Sequence, residues 1–458
     1  MPFIALAIGV DDVYVMLGAW QDTRRTLSPE KRMALALEEA GSAISVTSIT
    51  SILSFGIGSF SSTPAISIFC KFIMVAVAFD WFYQLTFFAA VMVLGARREA
   101  AGYHCILVWK RCDKSEIEKA KAPDAISPTR HFFSNIFAPF ICHPVSRIFI
   151  VIIYILYIFT AFYGCAQLEP NLTPSRLVVD DSPLIHYLHL AENRIWAEGL
   201  IGRVYVNKAP DFRDPEQNER VDKFVFTTAF KIASWNVRTE LLLMWRNITS
   251  HYPELEALVF DENNFYSDQV TPELAASYHT PEVKTVAMLE LQTTTLQSLG
   301  TAILTLISVC ILFVAESSIV FWVTFSLISM DIGTAGFLSL WGADLDPTTV
   351  VNILMSIGQC IDFATHVGYR IYRSECKDPD ERIRDAMGAI AWPVLQAGSS
   401  TLLAIVVMIL VPSNAVRMFA RTSVLVVATG LFHGLLVLPV IIRTFASHAK
   451  AHVPHRKD

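Results

Sequence analysis

The chain has 458 residues, of which 53% are hydrophobic and 17% charged, and its mean hydropathy is +0.45. Soluble domains run at roughly 45–50% apolar and about 25% charged, so this balance excludes an ordinary soluble protein and indicates a polytopic α-helical membrane protein. The net charge of −6 decides little, because orientation follows the Lys and Arg residues beside the spans rather than the total.

Apolar runs of about 20 residues predict nine spans, at 3–21, 41–60, 70–96, 146–168, 298–315, 318–341, 350–371, 392–412 and 418–443. The first contains ALAIGVDDVYVM, with Asp11 and Asp12 adjacent near its middle. Its start, MPFIALAIGVDDVYVM, has no basic n-region and no small-residue cleavage site, so it does not read as a signal peptide, and further spans are expected upstream of it. Next comes a basic loop (Arg24, Arg25, Lys31, Arg32) with a short helix, then SAISVTSITSILS at 42–54. Small and hydroxyl side chains let membrane helices pack closely, and Thr47, Ser48 and Thr50 are candidates to support the acids from a neighbouring helix.

Residues 97–145 form a cytosolic linker rich in Lys and Arg. Within it, HFFSNIFAPFI at 131–141 puts Phe132, Phe133, Ile136, Phe137, Phe140 and Ile141 on one stripe, as in a helix lying in the membrane interface. After the span at 146–168, residues 169–297 are predicted to form an α+β domain: a strand at 202–209, a long helix at 221–248, a strand at 254–262 and a helix at 281–297. It carries two N-glycosylation sequons, at Asn171 and Asn247. No cysteine lies between 166 and 309, so this domain has no disulfide framework of its own. It shows no metal-ligand spacing, phosphate-binding loop or nucleophile constellation, which points away from an enzyme, a metal site and a cofactor. No basic and aromatic pattern argues for nucleic acid.

The five remaining spans fill 298–445, ahead of a basic tail at 446–458. The short turns at 59–67 and 341–349 carry no Lys or Arg, whereas 22–33, 97–130, 370–384 and the tail do. This places the basic segments in the cytosol and 169–297 outside. A tag inserted within 100–125 is therefore expected to be shielded in intact cells and one within 210–220 to be accessible; surface labelling with the opposite pattern would overturn the topology.

Shifting the sequence by 350 residues superimposes Asp12 on Asp362, Gly18 on Gly368, Pro29 on Pro379, Arg32 on Arg382, Ala36 on Ala386, Leu53 on Leu403 and Phe69 on Phe419. Each copy reads as span, basic loop with a short helix, span, uncharged turn, span. The loop helices start alike, with a capping residue and then proline at Ser28-Pro29 and Asp378-Pro379. Parallel repeats of this kind place binding sites near the midplane where they face each other. An Asp at a helix centre costs about 2.5–3.5 kcal/mol on insertion scales, so Asp11, Asp12 and Asp362 together stand for roughly 8–10 kcal/mol if they face lipid. A proton- or cation-binding group explains that outlay better than helix adhesion does. His366, four residues after Asp362, shares its helix face and could share its proton. The gap-free register pairs Asp12 with Asp362, and a shift by one would favour Asp11; both remain candidates.

IGVDD, the stretch SLWGADLDPTTVVNILMSIGQCIDFATHVGY at 339–369 and the three-span repeat together resemble the Patched and Patched-related proteins of the resistance-nodulation-division (RND) superfamily, over essentially the whole chain from that family's fourth span onward. The resemblance implies an RND-type fold in which 1–96 correspond to spans four to six of a sterol-sensing repeat, 146–168 to span seven and 298–445 to spans eight to twelve. It maps the family's Gly-Val-Asp-Asp motif onto Gly9, Val10, Asp11 and Asp12, and its Gly-x-x-x-Asp/Glu motif onto Gly358 and Asp362. It further implies a permease for sterol or other lipidic molecules, coupled to a cation or proton and resident in the plasma membrane. The competing expectations are a sterol-responsive receptor or scaffold that does not transport and, remotely, an intramembrane aspartyl protease built on two Asp from separate spans. No Gly-x-Gly-Asp sequence accompanies the acids. A protein ligand and the oligomeric state are not legible.

Overall fold

The computed structural model describes residues 2–24, 26–60, 64–103, 110–111, 128–168, 178–179, 181–195, 200–207, 209–210, 220–221, 224–230, 235–261, 317–374, 376 and 378–445, with single positions between 297 and 311. Seven helices among these are long and apolar enough to cross a membrane. The first expected span is helical as well, α1 (Pro2–Asp22), whereas 298–315 lies mostly outside the described residues.

Helix α2 (Pro29–Gly58) corrects one expectation. The short loop helix and the following span are a single continuous helix of 30 residues, because no breaker separates RMALALEEA from the apolar run behind it. Next, α3 (Pro64–Tyr83) passes through a π turn, Gln84–Phe88, into the helix Ala89–Ala100. The linker helix comprises α4 (Pro128–Phe132), a π turn (Phe133–Phe137) and α5 (Ala138–Cys142). Its six apolar residues do not form one outward stripe: Phe132, Ile136 and Phe140 are exposed, while Phe133 and Ile141 are buried in the bundle. Neighbouring residues on a helix point about 100° apart, so of each adjacent pair in the stripe one member faces outward and the other packs on the bundle.

Helix α6 (Pro144–Ala166) leads to the outer segment. There α7 (Pro183–Leu190) precedes β1 (Leu200–Val206), β2 (Ala209–Pro210), β3 (Arg220–Val221), β4 (Phe224–Phe230), α8 (Trp235–Ser250) and β5 (Ala257–Asp261). Strands β4, β1 and β5 form an antiparallel sheet in that order, with Val204 opposite Phe226 and Val259. The long helix expected at 221–248 is therefore strand in its first half; FVFTTAF is aromatic and β-branched, and pairing with β1 decides its state. The helix expected at 281–297 lies outside the described residues, apart from Gln297.

The second half continues with α9 (Ser317–Leu340), α10 (Pro347–Arg373), α11 (Pro379–Val406), α12 (Asn414–Phe432), a π turn (His433–Val437) and α13 (Leu438–Phe445). The duplication is visible in detail. Ser28 and Asp378 cap α2 and α11 by accepting from the backbone N–H of Lys31 and Glu381, residues again 350 apart. Arg32 and Arg382 are both buried, the former stacked 4.1 Å over Trp20. The third helix of each copy carries a π turn at the equivalent level. The two repeats embrace, α1 packing on α11 and α10 on α2, so α10 lies almost wholly inside the bundle.

Candidate functional site: carboxylates at the repeat interface

Because consecutive residues on a helix point about 100° apart, the adjacent acids of α1 address different partners. Asp11 faces α11, where the Thr401 hydroxyl donates to its Oδ1 at 3.4 Å. Asp12 faces α2, α3 and α10: Ser48 is its polar neighbour on α2, and Asp80 and Asp11 are its charged neighbours. His366 Nε2 lies 3.9 Å from Asp12 Oδ1, at ion-pair rather than hydrogen-bond distance. Asp362, one helical turn before His366, stands within electrostatic reach of Asp12, then Asp11, then Asp80. Asp11, Asp12, Asp362 and His366 are all buried. Asp362 Oδ1 and both ring nitrogens of His366 have no hydrogen-bond partner among the described residues. The same is true of Asn352 Nδ2, Gln359 Oε1 and Thr365 Oγ1 on α10, so this helix presents unfilled polar groups along much of its length.

Of the hydroxyl residues expected to support the acids, Ser48 reaches Asp12. Thr47 and Thr50 instead donate to carbonyls of their own helix, at Ala43, Ile44 and Val46. Gly9 has a specific steric reason: a Cβ there would lie 2.5 Å from Asp80 Oδ1, so its lack of a side chain lets α3 bring that carboxylate against α1. At Gly358 a Cβ would meet Phe55 at 3.4 Å and Ser51 at 3.5 Å, ordinary van der Waals contacts, so the space there does not by itself require glycine. The expected site residues Asp11, Asp12, Asp362 and His366 thus come together, with Gly9 and Gly358 at the helix crossings. Asn247 is elsewhere, exposed near the end of α8, and Asn171 lies outside the described residues.

Two members of the group escaped the sequence reading. Asp80 is a single charge within the apolar stretch VAVAFDWFYQ, and the rule that singled out Asp11 applies equally to it. Thr401 closes QAGSST, the counterpart of the hydroxyl stretch on α2, but hydroxyls in membrane helices are too common to be informative without a partner.

A cleft between α1, α2, α10 and α11 reaches this group from the side of the basic segments. Asp22, Glu39, Arg370 and Arg373 line its mouth and His366 its inner end. Its volume of about 40 Å³ for water centres admits more than one water, each needing roughly 10–15 Å³ on that measure. Ion pairs ring the mouth: Arg370 with Glu39, Arg130 with Asp22 at 2.5 Å, and Arg370 with Asp385 at 3.9 Å. Toward the opposite side, Phe55, Cys70, Leu354, Ile357 and Phe419 form a closed apolar cluster. The arrangement can hold a proton or a small cation among several carboxylates, hydrated from one side of the membrane and sealed on the other. Among the described residues no cluster of His, Cys, Asp and Glu has metal-ligand geometry.

Comparison with known proteins agrees with this architecture. A family profile described as Patched SSD matches residues 1–94. Patched-related protein 9 of Caenorhabditis elegans is 27% identical over 509 aligned positions, covering 99% of this chain and 59% of the relative. The NPC intracellular cholesterol transporter 1 homolog 1b of Drosophila melanogaster is 22% identical over 41% of this chain and 16% of its own. In fold, a crystal structure of SecDF in its super-membrane-facing form is similar with a TM-score of 0.55 at 13% identity, covering 97% of this chain and 54% of that one. The chain thus spans little more than half the length of the proteins it matches end to end. It is an integral, multi-pass membrane protein with an RND-type fold, similar along nearly its whole length to a Patched-related protein and matching the Patched SSD profile at its N-terminal end.

Proposed function

We propose that the protein is a Patched-related permease that moves sterol or another lipidic molecule, driven by proton or cation exchange at Asp11, Asp12, Asp80 and Asp362. The observation that carries this reading is the convergence of buried acids from α1 and α10, one helix from each repeat, at the repeat interface, with the partly buried Asp80 of α3 beside them. A purely structural contact has no use for several carboxylates in mutual repulsion. Changing the charge of such a group alters the free energy of the repeat contact, which is how a gradient is converted into movement. His366, without a hydrogen bond and beside Asp12, passes protons between the cleft and the acids. The lipidic cargo is supported by the match to the Patched SSD profile and by the cholesterol-transporter name of a relative. Plasma-membrane residence and glycosylation at Asn171 and Asn247 belong to the same reading; enzymatic digestion of N-glycans should shift the mobility of the surface-expressed protein.

The test is lipid transfer by the purified protein in vesicles carrying an imposed proton or sodium gradient. Transfer that rises with one of the gradients and disappears when it is collapsed is the expected result. Sterol binding with no transfer under any gradient would replace the permease by a receptor or scaffold.

A further inference from the structure

A second polar centre lies on the far side of α10 from the carboxylate group, where α6, α9 and the His433–Val437 π turn meet. The Tyr154 hydroxyl donates to Ser329 Oγ at 3.0 Å, and Ser329 Oγ lies 3.0 Å from His433 Nε2. His433 Nδ1 is 2.8 Å from the Thr429 carbonyl oxygen. A carbonyl can only accept, so Nδ1 carries the hydrogen and Nε2 accepts from the Ser329 hydroxyl. Tyr157 donates to the Ser329 carbonyl at 3.0 Å, and its ring centre is 5.0 Å from that of His433. Two residues beyond Ser329 is Asp331, 4% exposed, with neither carboxylate oxygen hydrogen-bonded among the described residues.

Among the described residues the groups facing this pocket are few. Tyr157 on α6 is within electrostatic reach of Asp331, as is Cys360 on α10, which also senses Asp362 from the other side of its helix. Cys165 on α6 lies beside Tyr157 and donates to the Ile332 carbonyl. None of these groups is a Lys or Arg. A carboxylate left charged here would lack both donor and counter-ion, a cost of several kcal/mol. In the first repeat the position equivalent to His433 is Tyr83, which is exposed. The helix also departs from α geometry where His433 begins, a local irregularity that recurs at functional sites.

We propose that Asp331 and His433, joined through Tyr157, form a second proton-binding centre that titrates separately from the carboxylate group at the repeat interface. Tyr154 and Ser329 lead a proton to His433: as His433 Nε2 takes the Ser329 hydrogen, Ser329 takes that of Tyr154, and Tyr154 is reprotonated by a hydronium ion, which leaves as water. The centre acts on α6, the helix that leads to the outer segment, where Val179 pairs with Ser413 ahead of α12. Its protonation therefore changes the charge at the seam between the outer domain's anchor and the transport core.

Labelling of the purified protein in lipid nanodiscs with a membrane-soluble carbodiimide, which reacts with protonated carboxyls, tests this when peptides are read by mass spectrometry across a pH series. Asp331 is expected to react, with labelling that falls as pH rises. His433→Gln removes a group whose positive form favours the ionised carboxylate, so it should raise Asp331 labelling at least threefold at one pH unit above the wild-type midpoint, where little of the wild-type carboxyl is protonated. Ser329→Ala, which deletes the donor to Nε2 with little change of volume, should lower it. Asp12→Asn should leave the Asp331 curve in place while moving that of Asp362. Asp331 unreactive at every pH in samples where Asp362 reacts would overturn the proposal, as would an Asp331 curve unmoved by both His433→Gln and Ser329→Ala. An Asp331 curve that moves together with that of Asp362 in Asp12→Asn would equally overturn it, since the two centres would then be one. An Asp362 curve that ignores Asp12→Asn while Asp331 responds to His433→Gln would instead sink the coupled carboxylate group and leave this centre standing.

Discussion

Asp362→Asn is expected to reduce gradient-driven lipid transfer at least tenfold while leaving insertion, folding and delivery to the membrane intact. The substitution keeps side-chain volume and planar shape and deletes only the charge. Removing an acid from a membrane helix lowers the insertion cost, which for Asp runs at about 2.5–3.5 kcal/mol, so a loss of protein is not the expected route to lost activity. What disappears is the charge through which α10 senses Asp12, Asp11 and Asp80 across the repeat interface. Coupling energies between linked sites are typically about 1–3 kcal/mol, or 5- to 150-fold, and a group that loses one of its carboxylates forfeits a comparable amount. His366→Ala should do less, because at 3.9 Å from Asp12 it serves as a proton partner rather than as one of the acids. Asp80→Asn should fall between them, since Asp80 is only partly buried. Transport at the wild-type rate by an Asp11→Asn, Asp12→Asn, Asp362→Asn triple variant would end the coupled-site reading, whatever else the structure shows.

How much of this was legible in the sequence depends on whether the deciding interaction is local. Ser28 and Asp378 announce their helices because a cap and its N–H partner lie three residues apart, and the 350-residue register followed from such local signals. Asp11, Asp12 and Asp362 stood out because a charge in an apolar run is improbable by itself. Asp80 obeys the same rule but has no partner in the repeat register, and only the fold shows that α3 brings it against Gly9. The fate of FVFTTAF was decided by β1, far enough away in sequence that its helical periodicity could mislead. The choice between Asp11 and Asp12 dissolves in the structure: one addresses Thr401, the other Ser48, Asp80 and His366, so both belong to the group.

The second large effect is expected far from these acids, in Gly164→Ala. Helices α6 and α9 approach so closely that a Cβ at Gly164 would lie 2.1 Å from the Gly336 carbonyl oxygen, and one at Gly336 would lie 2.1 Å from that of Ala161. Backbone cannot rotate away as a side chain can, so the helices must separate. Small residues at such crossings are what allow membrane helices to gain dispersion contacts where no hydrophobic driving force between them exists. Separation would strip α6 of the bonds from Tyr154 and Tyr157 to Ser329 and from Cys165 to Ile332. Most of the remaining α6 surface is exposed, so little else among the described residues retains it. Overpacking of this kind costs about 1–3 kcal/mol or more, against the roughly 1 kcal/mol that Ala gains over Gly in a helix interior. Gly95→Ala is the control, because a Cβ there meets nothing within 4 Å and only the helix-propensity gain remains. In thermal unfolding of the detergent-purified protein, Gly164→Ala should melt several degrees below wild type and Gly95→Ala at or slightly above it. Equal melting of the two variants would mean that α6 does not sit on α9 at backbone contact, and the hydrogen-bonded path from Tyr154 to His433 would lose its frame with it.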